Sequence, residues 1–215
     1  MKGQGLFVYA LDDPYIHLAI AKNFAFHGVW GITSREFTSA SSSPLWTALL
    51  ALGLKMSGPN LSTGSLWPLM LTSLSAVALM WAVWREALRY LSPLVSALII
   101  VVVVMAVPVP TLIVSGQEHL LHCVVIFLLI LGYAKFLVAP ETVSRKSWTL
   151  LLFLTAIAVL VRYESLFLTA VFGSLLLGQQ RFRDALLFVS VAVAPAIIFG
   201  ILSMVQGWPP VPNSI

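Results

Sequence analysis

An all-α, polytopic membrane protein is what this sequence predicts, and three observations predict it. Of its 215 residues, 60% are hydrophobic and only 9% are charged, whereas soluble domains carry about 25% charged residues. Mean hydropathy is +0.98. Apolar windows approaching the roughly 20 residues that a helix needs to cross a bilayer core recur between short polar breaks. The same composition excludes nucleic-acid binding, secreted disulfide scaffolds and disordered linkers. The one cysteine, Cys123, lies in an apolar run and reads as a small buried hydrophobe.

The chain opens on a short apolar patch over 1–11 with one lysine and no small-residue cleavage site, so no cleavable signal is predicted. The patch is too short to cross and reads as the end of a preceding helix. The chain stops just after a Pro-Asn turn. Together these features give the expectation of a fragment lacking helix material at both ends, with 1–64 holding the end of a truncated first helix plus an extracytoplasmic loop with juxtamembrane helices, and 65–215 a transmembrane bundle. Asp13-Pro14 can begin a helix carrying Ile16, Ile20 and Phe24, since aspartate caps and proline suits a first turn. The stretch 44–56 is apolar over only about 13 residues, which predicts a helix lying along the outer surface with Trp46 at headgroup depth.

About six crossings follow, at 65–84, 94–113, 120–138, 148–161, 165–178 and 185–204. A single helix over 148–178 would be about 46 Å long, well beyond a hydrocarbon core. It would also hold Arg162 and Glu164 near the bilayer centre, where each charge costs about 2.5 to 3.5 kcal/mol. Two short helices with Arg162-Tyr163-Glu164 in the turn are therefore expected.

Short loops rich in lysine and arginine face the cytoplasm. One set holds Arg85, Arg89, Lys135, Arg145, Lys146, Arg181 and Arg183, against Lys22, Arg35, Lys55 and Arg162 on the other side. Acids run the opposite way, with Asp12, Asp13, Glu36, Glu118 and Glu164 outside. The expected location is the plasma (inner) membrane, with candidate chemistry on the extracytoplasmic face.

Several constellations could carry that chemistry. Asp12 and Asp13 are adjacent carboxylates at a membrane surface, suited to a general base or a divalent-ion ligand, or else to a plain helix cap. The run 38–46 (TSASSSPLW) offers hydroxyl and backbone donors to a sugar or phosphate, or a loop in which Ser43 caps the helix after Pro44. Ser115-Gly116-Gln117-Glu118-His119 places an acid and an imidazole at an outer mouth. Its structural alternative is a capping box from Ser115 to Glu118. His122 lies one turn past Glu118. Arg162 and Glu164 form a cation–acid pair that either serves function or makes an internal salt bridge. Pro212-Asn213-Ser214 reads as a turn.

In this order, DDPYIHLAIAKN, the G-x-x-G of 28–31, EFTSASSSPLW, SGQEH, RYE and PNS resemble membrane glycosyltransferases of the GT-C class. The branch is the polyprenyl-phosphate-sugar-dependent one, with protein O-mannosyltransferases, lipid A aminoarabinose transferases and arabinofuranosyltransferases. The resemblance covers nearly the whole chain. It implies transfer of a pentose or hexose from a polyprenyl-phosphate donor to an envelope glycan, lipid or protein acceptor, with inversion. It implies Asp12 as catalytic base and Asp13 as its partner, with Glu118 lining an outer cavity. It places Pro44, Leu45 and Trp46 in a juxtamembrane helix and matches Arg162 and Glu164 to an Arg-(Pro)-Glu turn, with Tyr163 where proline is common. The arginine often found after the acidic pair is missing, leaving Lys22 as a substitute point charge. Substrate contacts are thus expected from Lys22, Ser43, Trp46, Glu118, His119, Arg162, Glu164 and Asn213. A divalent cation, magnesium or manganese, is a candidate cofactor, with Asp12, Asp13 and Glu118 as its candidate ligands. The alternative is a transporter or flippase-like protein using the outward acids as a substrate or proton site, although transporters usually hold such groups at the midplane.

Overall fold

The structure is a computed structural model that describes residues 8–58 and 64–212. Among the described residues it is all-helical, with no strand. Nine α-helices follow in order among those residues: α1 (Asp13–His27), α2 (Pro44–Ser57), α3 (Trp67–Ala87), α4 (Pro93–Ala106), α5 (Val109–Ser115), α6 (His119–Val138), α7 (Arg145–Val161), α8 (Ser165–Gly178) and α9 (Phe182–Val205). The chain divides into two compact units, one formed by Met1–Arg35 and Thr47–Val124, the other by Glu36–Trp46 and Val125–Ile215. α2 and α6 run through both divisions.

Helix boundaries follow local chemistry. α1 starts with Pro14 in its first turn and ends at Gly28, whose φ of 70° turns the next N–H, that of Val29, back to the Asn23 carbonyl. α4 is capped by the Ser92 side chain, which accepts from the Val95 N–H. Ser144 does the same for α7 through the Ser147 N–H. The patch over 8–12 is not helical, and the rest of the predicted truncated helix lies outside the described residues.

The window 94–113 was expected as one span, but it is two helices bent by 50°. Pro108 and Pro110 are the reason, because neither has an N–H to give to the carbonyl one turn back. Val107 still donates to Val103, and the ladder resumes with Leu112 donating to Pro108. Three helices, α3, α6 and α9, are long and apolar enough to cross a membrane, and α4 with α5 makes a fourth if taken as one span. The run 148–178 is broken where expected, with α7 ending at Val161 and α8 starting at Ser165. At 17 and 14 residues, these helices are about 25 Å and 21 Å long. Both are shorter than a hydrocarbon core of about 30 Å.

In the first unit α3 packs against α4 and α5. The Thr72 hydroxyl on α3 reaches the Ile113 carbonyl at 3.0 Å and ties α3 to α5. α2 meets the start of α3 through Trp67, whose indole N–H donates to Ser57 Oγ at 3.0 Å. α2 buries Thr47, Leu50, Ala51 and Leu54, a helical stripe, while Leu52 and Met56 face outward.

In the second unit α9 packs along α7 and α8. The core holds an aromatic cluster: Tyr133 stacks on Phe172 at 3.7 Å between centroids, and Phe188 stands edge-on to Phe172 at 5.0 Å. The Tyr133 hydroxyl needs a polar partner in this setting and shares a hydrogen bond of 2.8 Å with Thr155. Arg181 sits 4.1 Å over the Phe136 ring, donates to the Phe136 carbonyl at 2.9 Å and pairs with Asp184, tying the end of α6 to the start of α9.

Candidate functional site

Asp13 and His17 are four residues apart on α1 and so share one face of it. Two segments of the first unit converge on that face. From the α5–α6 junction, Gln117 Nε2 donates to Asp13 Oδ2 at 3.0 Å. From α2, Thr47 Oγ1 lies 2.9 Å from His17 Nδ1. The other ring nitrogen, His17 Nε2, lies 3.8 Å from Glu118 Oε2, and His119 Nδ1 lies 3.8 Å from Glu118 Oε1. His17 and Glu118 are only 5% and 3% exposed. A buried carboxylate thus sits between two imidazoles, while the acidic pair Asp12 and Asp13 at the start of α1 is exposed. Those distances suit a charge-assisted or water-bridged pairing rather than direct hydrogen bonds.

Backbone turns set this geometry. Gly116 has φ of 70° and ends α5, and the Tyr9 ring lies where a Cβ at that position would fall. Glycine therefore answers both a left-handed conformation and a close approach. Tyr9 in turn is fixed by its hydroxyl, which donates to the Ser65 carbonyl at 2.6 Å and accepts from the Leu69 N–H at 3.2 Å. Its backbone N–H donates to Tyr15 Oη at 2.8 Å. Burial pushes the Tyr9 phenol up to about 12, against the lowering effect of the Leu69 N–H and with a small upward push from Tyr15.

Three capping alternatives are overturned. Ser115 is the last residue of α5, and its hydroxyl donates back to the Leu112 carbonyl at 2.8 Å, so no capping box joins it to Glu118. α6 instead begins at His119, with the Glu118 carbonyl accepting from the His122 N–H. Asp12 precedes α1 in a helical conformation and makes no side-chain cap, which leaves its carboxylate open. Ser43 Oγ is buried without a hydrogen-bond partner among the described residues, so it does not cap α2. Its backbone N–H donates to Ser41 Oγ at 3.2 Å.

The other expected residues are dispersed. Lys22 is exposed on α1. Trp46, expected at headgroup depth, is completely buried, and among the described residues its indole N–H has no partner. α2 therefore turns its first aromatic into the protein, because a face with Trp46 and Leu50 buries more apolar area there. In the second unit Arg162 Nε donates to both Glu164 oxygens at 3.2 Å, and the guanidinium NH2 group also reaches Glu164, giving the internal salt bridge. Between them Tyr163 has a buried hydroxyl with no partner among the described residues, and burial pushes its phenol up to about 12. Asn213 lies outside the described residues. Among the described residues no group of three or more His, Cys, Asp or Glu gathers as metal ligands, so Asp12, Asp13 and Glu118 form no cation cage.

Sequence reasoning missed His17, Thr47 and Gln117 as members of the site. The signal was present for His17, which stands at i+4 from Asp13 on the face of α1 that also buries Pro14, Ile20 and Ala21. Nothing local marks Thr47 or Gln117, whose partners stand 30 and 104 residues away. No protein-family model, no curated protein and no solved structure matches this chain.

Proposed function

We propose that this chain belongs to a membrane glycosyltransferase that moves a sugar from a polyprenyl-phosphate donor to an envelope glycan, lipid or protein acceptor on the extracytoplasmic side. The observation that carries this reading is the Gln117–Asp13 hydrogen bond. It joins two of the motifs on which the glycosyltransferase resemblance rests, DDPYIH and SGQEH, at one place. The two acids differ there as a base and a positioning acid should. Asp12 is exposed with no capping bond, whereas Asp13 is held.

In the proposed reaction an acceptor hydroxyl attacks the anomeric carbon from the face opposite the phosphate. Its proton passes to the Asp12 carboxylate as the bond from carbon to phosphate oxygen breaks. The lipid phosphate leaves with that electron pair and needs no proton from a second acid. A cation stabilises its charge, and Lys22, about 15 Å further along the acid-bearing helix, is the lysine that helix offers. Arg162 is already paired with Glu164. We further propose that α7 and α8 each cross the membrane, which gives six crossings and places the lysine- and arginine-rich loops in the cytoplasm.

The burial of Glu118 beside His17 also favours the second reading, a proton site in a transporter. One assay separates the two. Membranes containing the protein are given synthetic polyprenyl-phosphate pentoses and hexoses, and free polyprenyl phosphate is measured. Release that depends on the protein supports transfer. Absence of release with every donor, together with pH-gradient-driven solute uptake, supports the transporter.

A further inference from the structure

On α3, the residues Ala76, Val77, Met80, Trp81 and Trp84 follow one another at helical spacing and, with Ile100 of α4, line an open groove of about 460 Å³. The lining is almost wholly apolar. It spans about 12 Å along α3, a length suited to part of an acyl chain. At its end the Arg85 guanidinium lies 5.4 Å from the Trp81 ring centroid, over the ring. The next acid along the helix, Glu86, is taken by Arg89 at 3.0 Å. Among the described residues, therefore, Arg85 is an exposed cation without a carboxylate partner, standing over an apolar groove in a helix apolar enough to cross a membrane.

We propose that this groove is a binding site for an anionic phospholipid, with one acyl chain along Trp81, Trp84 and Ile100 and the phosphate on Arg85. The argument is charge complementarity joined to the apolar lining. A zwitterionic headgroup brings its own cation to the phosphate, whereas an anionic headgroup leaves a net charge for Arg85 to neutralise. The guanidinium offers a planar fork of donors that suits a phosphate better than an ammonium does. The site is independent of the acids on α1 and of the transfer reaction proposed above.

The test uses the whole chain in phosphatidylcholine vesicles carrying, at equal mole fraction, either phosphatidylglycerol or phosphatidylcholine brominated on the acyl chains. Bromine quenches nearby tryptophan. Brominated phosphatidylglycerol is expected to occupy the groove about fivefold more readily than brominated phosphatidylcholine. The excess quenching should vanish in Trp81→Phe/Trp84→Phe and in Arg85→Gln. It should persist in Arg183→Gln, a change elsewhere in the chain. Unchanged quenching by brominated phosphatidylcholine in Arg85→Gln shows that the variant is inserted and folded. Equal quenching by the two lipids in the wild-type protein, or a phosphatidylglycerol excess that survives Arg85→Gln, overturns the proposal.

Discussion

Gln117 donates to the Asp13 carboxylate at 3.0 Å, across 104 residues of chain. The donor is buried and the acceptor exposed, so the amide reaches from the protein interior to hold one member of an acidic pair in a set position. Asp12 has no such bond from the start of its helix. Two adjacent and chemically identical side chains are thereby made different.

Replacing Gln117 by Leu removes that anchor while keeping a side chain of similar bulk. A hydrogen bond to a charged group contributes about 1.5 to 3 kcal/mol when sheltered, and the exposed side of Asp13 brings the expected loss to about 1 kcal/mol. Thermal melting in detergent would read it. The Asp13→Ala/Gln117→Leu double variant should melt close to Gln117→Leu, since the two changes remove the same interaction. Fully additive losses would count against a direct coupling.

Tyr9 makes stability depend on alkaline pH. Burial is the main cause raising its phenol from the usual 10 to about 12. A raised acid is held neutral by the fold, so the stabilisation is whole below pH 10 and is lost as pH rises through about 12. The melting temperature should therefore fall across that window. Tyr9→Phe should melt lower at neutral pH, having lost the Ser65 and Leu69 contacts, but show a shallower alkaline decline. Parallel alkaline declines in both proteins would contradict this assignment.

In the second unit Phe172 touches Tyr133, Phe136 and Phe188 by ring contacts. Phe172→Ala should cost about 3 to 5 kcal/mol, because the emptied space cannot be refilled by rings already in contact with one another. Tyr133→Phe keeps the ring and loses the hydroxyl with its hydrogen bonds to Thr155 and Thr169, about 1 to 2 kcal/mol. Melting curves in one detergent should rank the two variants in that order.

The proposed crossing of α7 and α8 predicts opposite faces for the turns that flank α7. In a Cys123→Ala background, Glu141→Cys and Glu164→Cys lie at exposed positions. Membrane-impermeant thiol reagents should reach Glu164→Cys from outside intact cells and Glu141→Cys only after permeabilisation. Labelling of both from one side would reject the six-crossing arrangement.

Helices were legible in this sequence because their signal is local. The polar triplet 162–164 marked the end of α7 and the start of α8, and Asp13-Pro14 marked the start of α1. The break at Pro108 carried an equally local signal, but the apolar composition of 94–113 outweighed two prolines in a hydropathy window. Trp46 was misplaced for a different reason. An aromatic at a helix start reads the same whether it meets headgroups or protein, and only tertiary packing decides. The site itself rests on partners that no window contains. Glu118 and Asp13 were read as separate motifs, and the side chains that connect them to the rest, His17 with Thr47 and Gln117, act across long sequence separations. Ser115 showed the reverse failure, since a capping-box spacing is no guide once Gly116 ends the preceding helix between its two members.

The most direct measurement of the central claim is the rate of polyprenyl-phosphate release by Asp12→Asn, compared with wild type, in envelope membranes that supply the acceptor. Asparagine keeps the size and the hydrogen-bonding capacity of Asp12 but cannot take the acceptor's proton. The rate should fall by about 10² to 10⁴, with binding of the labelled lipid-linked donor changed much less. Near-normal release by Asp12→Asn at normal expression would contradict the account and leave Asp12 as a plain helix-start residue.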